Sequence, residues 1–201
     1  MIITNINKLR ELYGYPKGRA KDKVLQTLDK HAINFIKTAP FLIISTVSAE
    51  GQMDASPRGG ASGFVKIIDK NSIIIPDSKG NNRLDSLSNI IETESVGMIF
   101  LIPGVDETLR INGKAQISTS PEYLSLFKSE NNLPKGCIVV SIEELFLHCA
   151  KSLMRSKLWD KDSKIERSNF PTMGKMLNEQ LGIKDQVETQ EEMVERYHRD
   201  L

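Results

Sequence analysis

The feature that most constrains the fold is a series of short apolar runs interrupted by turn residues every few positions. The first run, F-L-I-I-S-T-V, begins at Phe41, and a loop containing Gly51 separates it from M-D-A-S-P-R. G-F-V-K-I-I follows, and a turn at 69–71 leads into the run that begins at Ser72. Short runs joined by such short connections predict antiparallel strands in a meander. A barrel or a sandwich is therefore favoured over a parallel sheet.

The later chain adds strands and flanking helices. V-G-M-I-F-L-I-P, T-L-R-I-N-G-K-A-Q-I-S and C-I-V-V-S-I each predict a strand, and the alternation in the second leaves one of its faces wet. Apolar residues at helical spacing predict helices at 20–38, about 83–92, 121–128 and 145–157. The highly charged sequence beyond Trp159 predicts a peripheral helical tail over 161–201, with helices at 170–181 and 187–197.

Composition limits the class of protein. A chain of 201 residues that is 39% apolar and 26% charged is typical of one globular domain, here 1–201. The net charge of +1 gives no global attraction for nucleic acid or an anionic membrane, so we expect neither as a partner and any anion site must be local. No segment has the pattern of a secretory signal or the length of a membrane span, which predicts a cytoplasmic protein. Two cysteines and three scattered histidines predict reduced thiols and no metal site.

A polar loop between the fourth run and the next helix is a candidate anion site. It lies within I-I-I-P-D-S-K-G-N-N-R-L-D-S, from Ile73 to Ser86, which predicts a strand, a loop and a helix N-terminus. Unpaired N–H groups at the helix start, together with the side chains of Lys79, Asn82 and Arg83, would hold a phosphate. Neither the P-loop nor the G-x-G-x-x-G pattern is present. The alternative is a solvated loop that carries two cations by chance.

Two further polar clusters fall at the ends of predicted strands. In D-A-S-P-R-G-G, residues 54–60, the glycines indicate either the close approach of a ligand or backbone, or a bulged edge strand. In H-C-A-K-S-L-M-R-S-K-L-W, residues 148–159, a helix would place Lys151 and Arg155 on one face, with His148 and Trp159 extending it. Such a face could clamp an anionic aromatic ligand, although the pattern alone favours a solvated helical surface.

Four of these segments together resemble the pyridoxamine 5′-phosphate oxidase-like family of FMN-binding split-barrel proteins, in the branch of flavin-nucleotide-binding proteins. They are D-A-S-P-R-G-G, I-P-D-S-K-G-N-N-R-L-D-S-L-S-N-I, F-L-I-P-G-V-D-E-T-L-R-I-N-G-K-A and H-C-A-K-S-L-M-R-S-K-L-W, and they span roughly residues 35–160. The resemblance implies a mainly β fold with flanking helices, in which six antiparallel strands form a split barrel. It also implies a homodimer with two FMN sites at the subunit interface and a small-molecule substrate.

The resemblance assigns roles to particular residues. On the strand, Ser56, Pro57 and Arg58 would line the flavin, and Arg58 would stabilise negative charge on the reduced ring. The remaining implied flavin contacts are Pro76 and Asp77 near the ring edge, Lys79, Asn82 and Arg83 at the phosphate, and Arg110, Lys151, Arg155 and Trp159 closing the site across the interface.

The sequence also departs from the vitamin oxidases that give the family its name. Their C-terminal Arg-x-His substrate segment has no counterpart, because Arg196 and His198 stand in a different setting. Pyridoxamine phosphate oxidation is therefore not implied, whereas flavin binding is unaffected. The leading hypothesis is an FMN-dependent oxidoreductase with no general acid or base assigned. The alternatives are a flavin carrier or sensor without turnover, and a barrel that binds another ligand such as haem or a different flavin.

Overall fold

A computed structural model of the chain describes residues 2–128 and 132–199. Within these ranges the strands form one antiparallel sheet in the order β2-β1-β5-β6-β7-β4-β3. The strands are β1 (Phe41–Val47), β2 (Met53–Gly59), β3 (Lys66–Ile67), β4 (Ser72–Pro76), β5 (Ser95–Leu101), β6 (Thr108–Ser118) and β7 (Cys137–His148). The described residues thus contain seven strands where six were expected, and the shortest of them, β3, has only two residues.

Helices flank the sheet on the described parts of the chain. They are α1 (Ile6–Tyr13), α2 (Arg19–Asp22), α3 (Lys30–Thr38), α4 (Asp85–Thr93), α5 (Pro121–Leu124), α6 (Lys151–Ser156), α7 (Met173–Leu181) and α8 (Gln190–His198). Short 3-10 turns follow α5 at Ser125–Phe127 and α6 at Lys161–Ser163 and Arg167–Asn169. No helix of the described chain is long and apolar enough to cross a membrane.

The hydrophobic core lies between the inner face of the sheet and helices α3 and α4. Leu42 and Ile44 point inward from β1, and their neighbours on β5 are Phe100 and Met98. Ile36 of α3 and Ile90 of α4 cover this face and are also buried, together with most of the large apolar side chains of β4 to β7. Alternating inward residues of this kind are what hold one face of an antiparallel sheet against helices.

The predicted N-terminal helix over 20–38 begins later than expected. The structure has α3 from Lys30, because the Asp29 carboxylate accepts hydrogen bonds from the backbone N–H of His31 (3.1 Å) and Ala32 (2.8 Å) and caps the helix. The preceding segment is extended: the backbone of Leu25 pairs with that of Leu145 at 2.9 and 2.8 Å. Hydrogen bonding to β7 therefore replaces the first turns of the predicted helix.

The predicted helix over 145–157 is wrong in its first part. Strand β7 continues to His148, and α6 begins only at Lys151. A bulge explains the error, since Asn112 faces Glu144 while the next residue, Gly113, faces Ile142. One extra residue in β7 breaks the strict apolar–polar alternation of the sequence. His148 therefore ends a strand and does not extend the helical face of Lys151 and Arg155.

The C-terminal region forms the two expected helices with shifted ends. Helix α7 is capped by the Thr172 side chain, and α8 has a capping box formed by Thr189 and Glu192. The last two residues of the predicted tail lie outside the described residues. Exposed apolar side chains occur on both helices, including Leu177 and Val194.

Candidate functional site

A cleft of about 610 Å³ opens where the end of β2 meets the loop after β4 and the N-terminus of α4. It brings together eight of the sequence-predicted site residues, namely Ser56, Pro57, Arg58, Pro76, Asp77, Lys79, Asn82 and Arg83. Gly59, Phe64, Asp85, Ser86, Asn132, Leu133 and Lys135 are among the other lining residues. A volume of this size falls within the range of small-molecule pockets, about 300–1,000 Å³.

Strand β2 supplies the wall of the cleft that follows the edge of the sheet. Ser56 and Arg58 project from the inward face, because they pair with Ile44 and Leu42 of β1. The pairing of β2 with β1 runs from Met53 to Gly59 without a register shift, so the bulged-strand interpretation of this segment is wrong. Pro57 is compatible with β2 because that strand lies at the edge of the sheet.

The close approach expected at the glycines occurs at Gly60, and a side chain of this protein makes it. A Cβ added to Gly60 would lie 2.7 Å from the Cβ of Phe64, well inside normal contact. The glycine therefore makes room for Phe64, which is buried and lines the cleft. Gly60 thus shapes the wall of the cleft through the Phe64 side chain.

Helix α4 is attached to the sheet through one polar face. Asn89 donates to the Thr46 hydroxyl at 3.0 Å, and the Thr93 hydroxyl donates to the Val47 carbonyl at 2.8 Å. The Glu92 carboxylate accepts from the backbone N–H of Ala49 at 3.0 Å. These bonds recur at helical spacing and hold α4 against β1, while residues of the first turn of the helix line the cleft.

At the first turn of α4, a network of four side chains joins the helix to β2 beside the cleft. The buried Ser86 hydroxyl donates to Asp54 Oδ2 at 2.5 Å and accepts from Arg58 Nη2 at 3.1 Å. Ser56 Oγ also donates to Asp54, at 3.1 Å. Sequence reasoning missed Asp54 and Ser86 as site residues. The available signal was that Asp54, Ser56 and Arg58 are two apart and so share one face of a strand.

The loop before α4 has an unusual backbone. Asn82 and Leu84 both adopt left-handed conformations, with φ of 59° and 60°. Such conformations are uncommon for residues other than glycine, particularly for a leucine. Between them, the Arg83 backbone N–H donates to Asn81 Oδ1 at 3.1 Å. The Arg83 side chain is 74% exposed and donates from Nε to Asp85 Oδ2 at 2.8 Å. This ion pair raises the pKa of the Arg83 guanidinium.

The charges along the cleft favour an anion. Its described lining contains the cations Arg58, Lys79, Arg83 and Lys135 against the carboxylates of Asp77 and Asp85. Sequence reasoning did not include Lys135, which lies just before β7 and reaches the cleft because β7 pairs with β4. The N-terminus of α4 adds the partial positive charge of its unpaired N–H groups.

Asp77 is one of the two carboxylates in the described lining of the cleft. Its backbone N–H donates to the Gly136 carbonyl at 3.0 Å, which fixes the residue at the end of β4. Burial raises the pKa of the Asp77 carboxyl, and the positive charges of Arg58 and Lys135 partly offset this rise. Asp77 can therefore serve as a hydrogen-bond acceptor when ionised and as a donor when protonated.

Four sequence-predicted site residues do not line the cleft of their own chain. Arg110 pairs with Glu144 at 2.9 Å and lies over the Phe146 ring, 4.9 Å from its centroid. Trp159 Nε1 donates to the Val105 carbonyl at 3.0 Å. The other two, Lys151 and Arg155, are exposed on α6. By the resemblance, these four residues belong to a site shared between two subunits, and that assignment stays a prediction.

His148, at the end of β7, lies near Arg110. The His148 ring lies 4.9 Å from the ring of Phe146. Burial and the positive charges of Lys23 and Arg110 lower the pKa of His148. No group of three or more His, Cys, Asp or Glu side chains in the described parts of the chain is placed to hold a metal ion.

The antiparallel sheet and its covering helices form a split barrel, and the cleft at its edge has more cations than carboxylates in its described lining. A sequence model of the family described as pyridoxamine 5′-phosphate oxidase matches residues 28–149, which is more than half of the chain. The chain therefore belongs to the pyridoxamine 5′-phosphate oxidase family, and its fold is the split β-barrel of that family.

Two crystal structures of HupZ show the same fold at low sequence identity, and a third structure is similar over a comparable share of the chain. A crystal structure of HupZ from Group A Streptococcus is 18% identical, with a TM-score of 0.51 over 60% of this chain and 93% of that chain. A HupZ variant gives 18% identity and a TM-score of 0.50 over 60% of this chain and 98% of that chain. A putative pyridoxamine 5′-phosphate oxidase from Lactobacillus delbrueckii is 20% identical, with a TM-score of 0.46 over 62% and 98% of the two chains. Comparison with curated proteins gave no match.

Proposed function

We propose that the protein binds FMN in the cleft and is an FMN-dependent oxidoreductase that acts on a small molecule. The observation that carries this proposal is the convergence of Arg58, Lys79 and Arg83 with the start of α4 in one cleft. Arg58 lies on β2 and the other two lie in the loop before α4, so folding brings two separate segments together at one cleft. Membership of a family named for a flavin enzyme makes FMN the first ligand to consider.

The donor set at the loop fits the phosphate of FMN. Lys79, Asn82 and Arg83 would hold it, because ammonium, amide and guanidinium N–H groups are strong donors to a dianion. The side chain of Arg83 is mostly exposed, so it can turn toward a ligand without leaving a buried gap. The N-terminus of α4 lies beside these groups and adds to the attraction.

The other end of the cleft suits a planar ring with polar edges. Ser56, Pro57 and Arg58 would line the flavin ring from β2, with Pro76 and Asp77 at its edge. Bound FMN would supply the hydride or electron chemistry of the reaction. The guanidinium of Arg58 would stabilise negative charge that develops on the ring, since a fixed cation in a partly enclosed site acts strongly. Asp77 would accept a hydrogen bond from the ring or the substrate.

We also propose that two chains form a homodimer through the outer face of the sheet. On this face Pro57, Ile43, Ile99, Arg110 and Phe146 are neighbours across five successive strands. Ile43 and Ile99 are each 38% exposed, an apolar stripe that a second copy would cover. A partner on this face would bring a second set of Arg110, Lys151, Arg155 and Trp159 toward the cleft.

The dimer has a direct test. Ile43→Lys places a charge in the middle of the stripe and is expected to give a monomer in analytical ultracentrifugation at micromolar protein. Ile91→Lys, at an exposed position on α4, is the matched control and should sediment like the wild type. A wild-type monomer at these concentrations would contradict the shared site.

Anaerobic reduction tests the oxidoreductase. The purified protein loaded with FMN is mixed with NADH or NADPH in the absence of oxygen, and the flavin absorption bands are followed. Loss of the bands with either donor, faster than with free FMN, supports an oxidoreductase and identifies its donor. If the bands persist with NADH and NADPH but are lost when dithionite is added, the result favours a flavin carrier or sensor, or an enzyme that takes a different electron donor.

A further inference from the structure

We propose that Ser86 and Asp54 form a positioning pair that holds the Arg58 guanidinium in the cleft and so sets how strongly Arg58 acts on the bound flavin. The inference rests on the proposed flavin site. It adds two residues that neither the sequence motifs nor the family resemblance assigned to that site.

The hydrogen-bond directions in the network are determined by chemistry. An arginine only donates and an ionised carboxylate only accepts. Because Ser86 has a single hydroxyl proton, it donates to Asp54 Oδ2 at 2.5 Å and accepts from Arg58 Nη2 at 3.1 Å. Ser56 donates to the same carboxylate at 3.1 Å. The chain of bonds therefore runs from the guanidinium through a hydroxyl to a carboxylate.

Because Ser86 is buried, the network depends on the hydroxyl at position 86. Ser86 is 2% exposed, so water does not replace a missing partner there. An alanine would leave Arg58 Nη2 and Asp54 Oδ2 without the group that joins them. The guanidinium would then be free to change rotamer within the cleft.

Ser86 is what ties Arg58 to the helix. Among the hydrogen bonds of the described residues, the other one made by Arg58 goes from Nη1 to the carbonyl of Pro57, at 2.9 Å. That acceptor belongs to the same strand, so it does not fix the guanidinium relative to α4. The Ser86 bond therefore sets the separation between the Arg58 cation and the helix start that would hold the phosphate.

The position of α4 does not depend on Ser86. Asn89, Glu92 and Thr93 each make a separate hydrogen bond to β1 or to the residues that follow it. Removing the Ser86 hydroxyl should leave the helix docked and change chiefly the orientation of Arg58. Asn89→Ala is the matched control, because it removes one α4–sheet bond a single turn away without touching Arg58.

A double-mutant cycle on FMN affinity tests the proposal. The dissociation constant is measured by flavin fluorescence for wild type, Ser86→Ala, Arg58→Ala and the double variant. We expect Ser86→Ala to raise it about tenfold when Arg58 is present, equivalent to about 1.4 kcal/mol, and less than twofold when Arg58 is absent. Asn89→Ala should change the constant by the same factor in both backgrounds.

The midpoint potential of bound FMN gives a second readout that a purely structural role would not move. Loss of a cation near the ring lowers the potential, because the negative charge of the reduced flavin is less stabilised. Ser86→Ala should therefore lower the potential in the same direction as Arg58→Ala, while Asn89→Ala leaves it unchanged. Asp54→Asn, which keeps the side-chain volume, should show the same coupling to Arg58. This variant replaces Ser86→Ala in the cycle if Ser86→Ala does not fold.

The outcomes separate this inference from the proposed function. A wild-type protein that does not bind FMN overturns both. A wild-type protein that binds FMN, with Ser86→Ala weakening binding equally in both Arg58 backgrounds, overturns the positioning pair alone. The positioning pair is supported if Ser86→Ala weakens FMN binding chiefly when Arg58 is present and also lowers the midpoint potential of the bound FMN.

Discussion

Substituting alanine for Gly113 should disrupt the contact between β6 and β7. Gly113 lies at the bulge, and a Cβ there would overlap the Ser141 carbonyl oxygen. It would also lie 3.0 Å from the Ser141 carbonyl carbon and 3.2 Å from the Ile142 Cα. Unbonded carbon atoms prefer about 3.5–4.0 Å, so β7 would have to move away from β6. All of these neighbours are backbone atoms, and no side-chain rotation relieves the overlap.

The expected loss of stability follows from the bonds that this movement breaks. Separating the strands at one pair breaks about two backbone hydrogen bonds, each worth roughly 1 kcal/mol net and more if the groups stay buried without partners. We therefore expect Gly113→Ala to lower the free energy of unfolding by about 3 kcal/mol or more. For a chain of this size the melting temperature should fall by about 10 °C.

Chemical denaturation followed by circular dichroism measures this change, and Gly97→Ala on the adjacent strand is the matched control. A Cβ at Gly97 would lie 3.1 Å from Asn112 Oδ1. This atom is the far end of a side chain and can shift by a few tenths of an ångström more easily than backbone, so Gly97→Ala should change the unfolding free energy by less than about 1 kcal/mol. The reasoning is refuted if Gly113→Ala is as stable as wild type, or if both variants lose the same amount.

Two further predictions concern the cleft. Arg83→Ala should weaken the binding of FMN several-fold and leave riboflavin binding unchanged, because riboflavin lacks the phosphate that Arg83 would contact; an equal loss for both flavins would place Arg83 elsewhere. Asp77→Asn should stabilise the flavin-free protein at neutral pH but not well below pH 3.8, as measured by urea unfolding across pH. Burial raises the pKa of Asp77 in the folded state. The folded wild type therefore binds the proton more tightly than the unfolded chain, and it loses stability as pH rises through the interval above 3.8. Identical pH profiles for the two proteins would contradict this.

The sequence was most informative where local pattern and tertiary packing agree. Short runs between turn residues predicted β1, β2 and β5, and alternating residues predicted β6. The polar loop before α4 was recognised because Pro76, Gly80 and the following polar residues all disfavour a continued strand. The triple isoleucine of β4 was recognised as a strand, and the structure shows why it lacks alternation. Ile73 and Ile75 face the main core, while Ile74 packs against Phe127 on the other face.

The errors arose where distant segments override local preference. The run from Leu25 to Leu28 has helical spacing, but hydrogen bonds to β7 and to the Lys70 carbonyl hold it extended. In β7 the bulge opposite Gly113 shifts the phase of the alternation, so the sequence after Ile142 looked helical. The distant segments that pair with these two runs cannot be identified from a short window of sequence.

The candidate site shows the same division. Arg58 and Arg83 were predicted to belong to the site because the chemistry of each is visible within its own sequence motif. Ser86 and Lys135 line the cleft and Asp54 lies beside it, but they were missed because only a strand pairing or a helix contact brings each of them there. A serine in the first turn of a helix has no local sign that its hydroxyl will bridge an arginine and a carboxylate.

Equilibrium titration of the purified, flavin-free protein with FMN and with riboflavin tests the central claim most directly. Binding is followed by the quenching of flavin fluorescence and by the shift of the flavin absorption bands. The account predicts saturable binding of one FMN per chain, with FMN bound more tightly than riboflavin and the difference reduced by salt. Failure to bind FMN, or equal affinity for the two flavins, would contradict a flavin site whose phosphate lies at the start of α4.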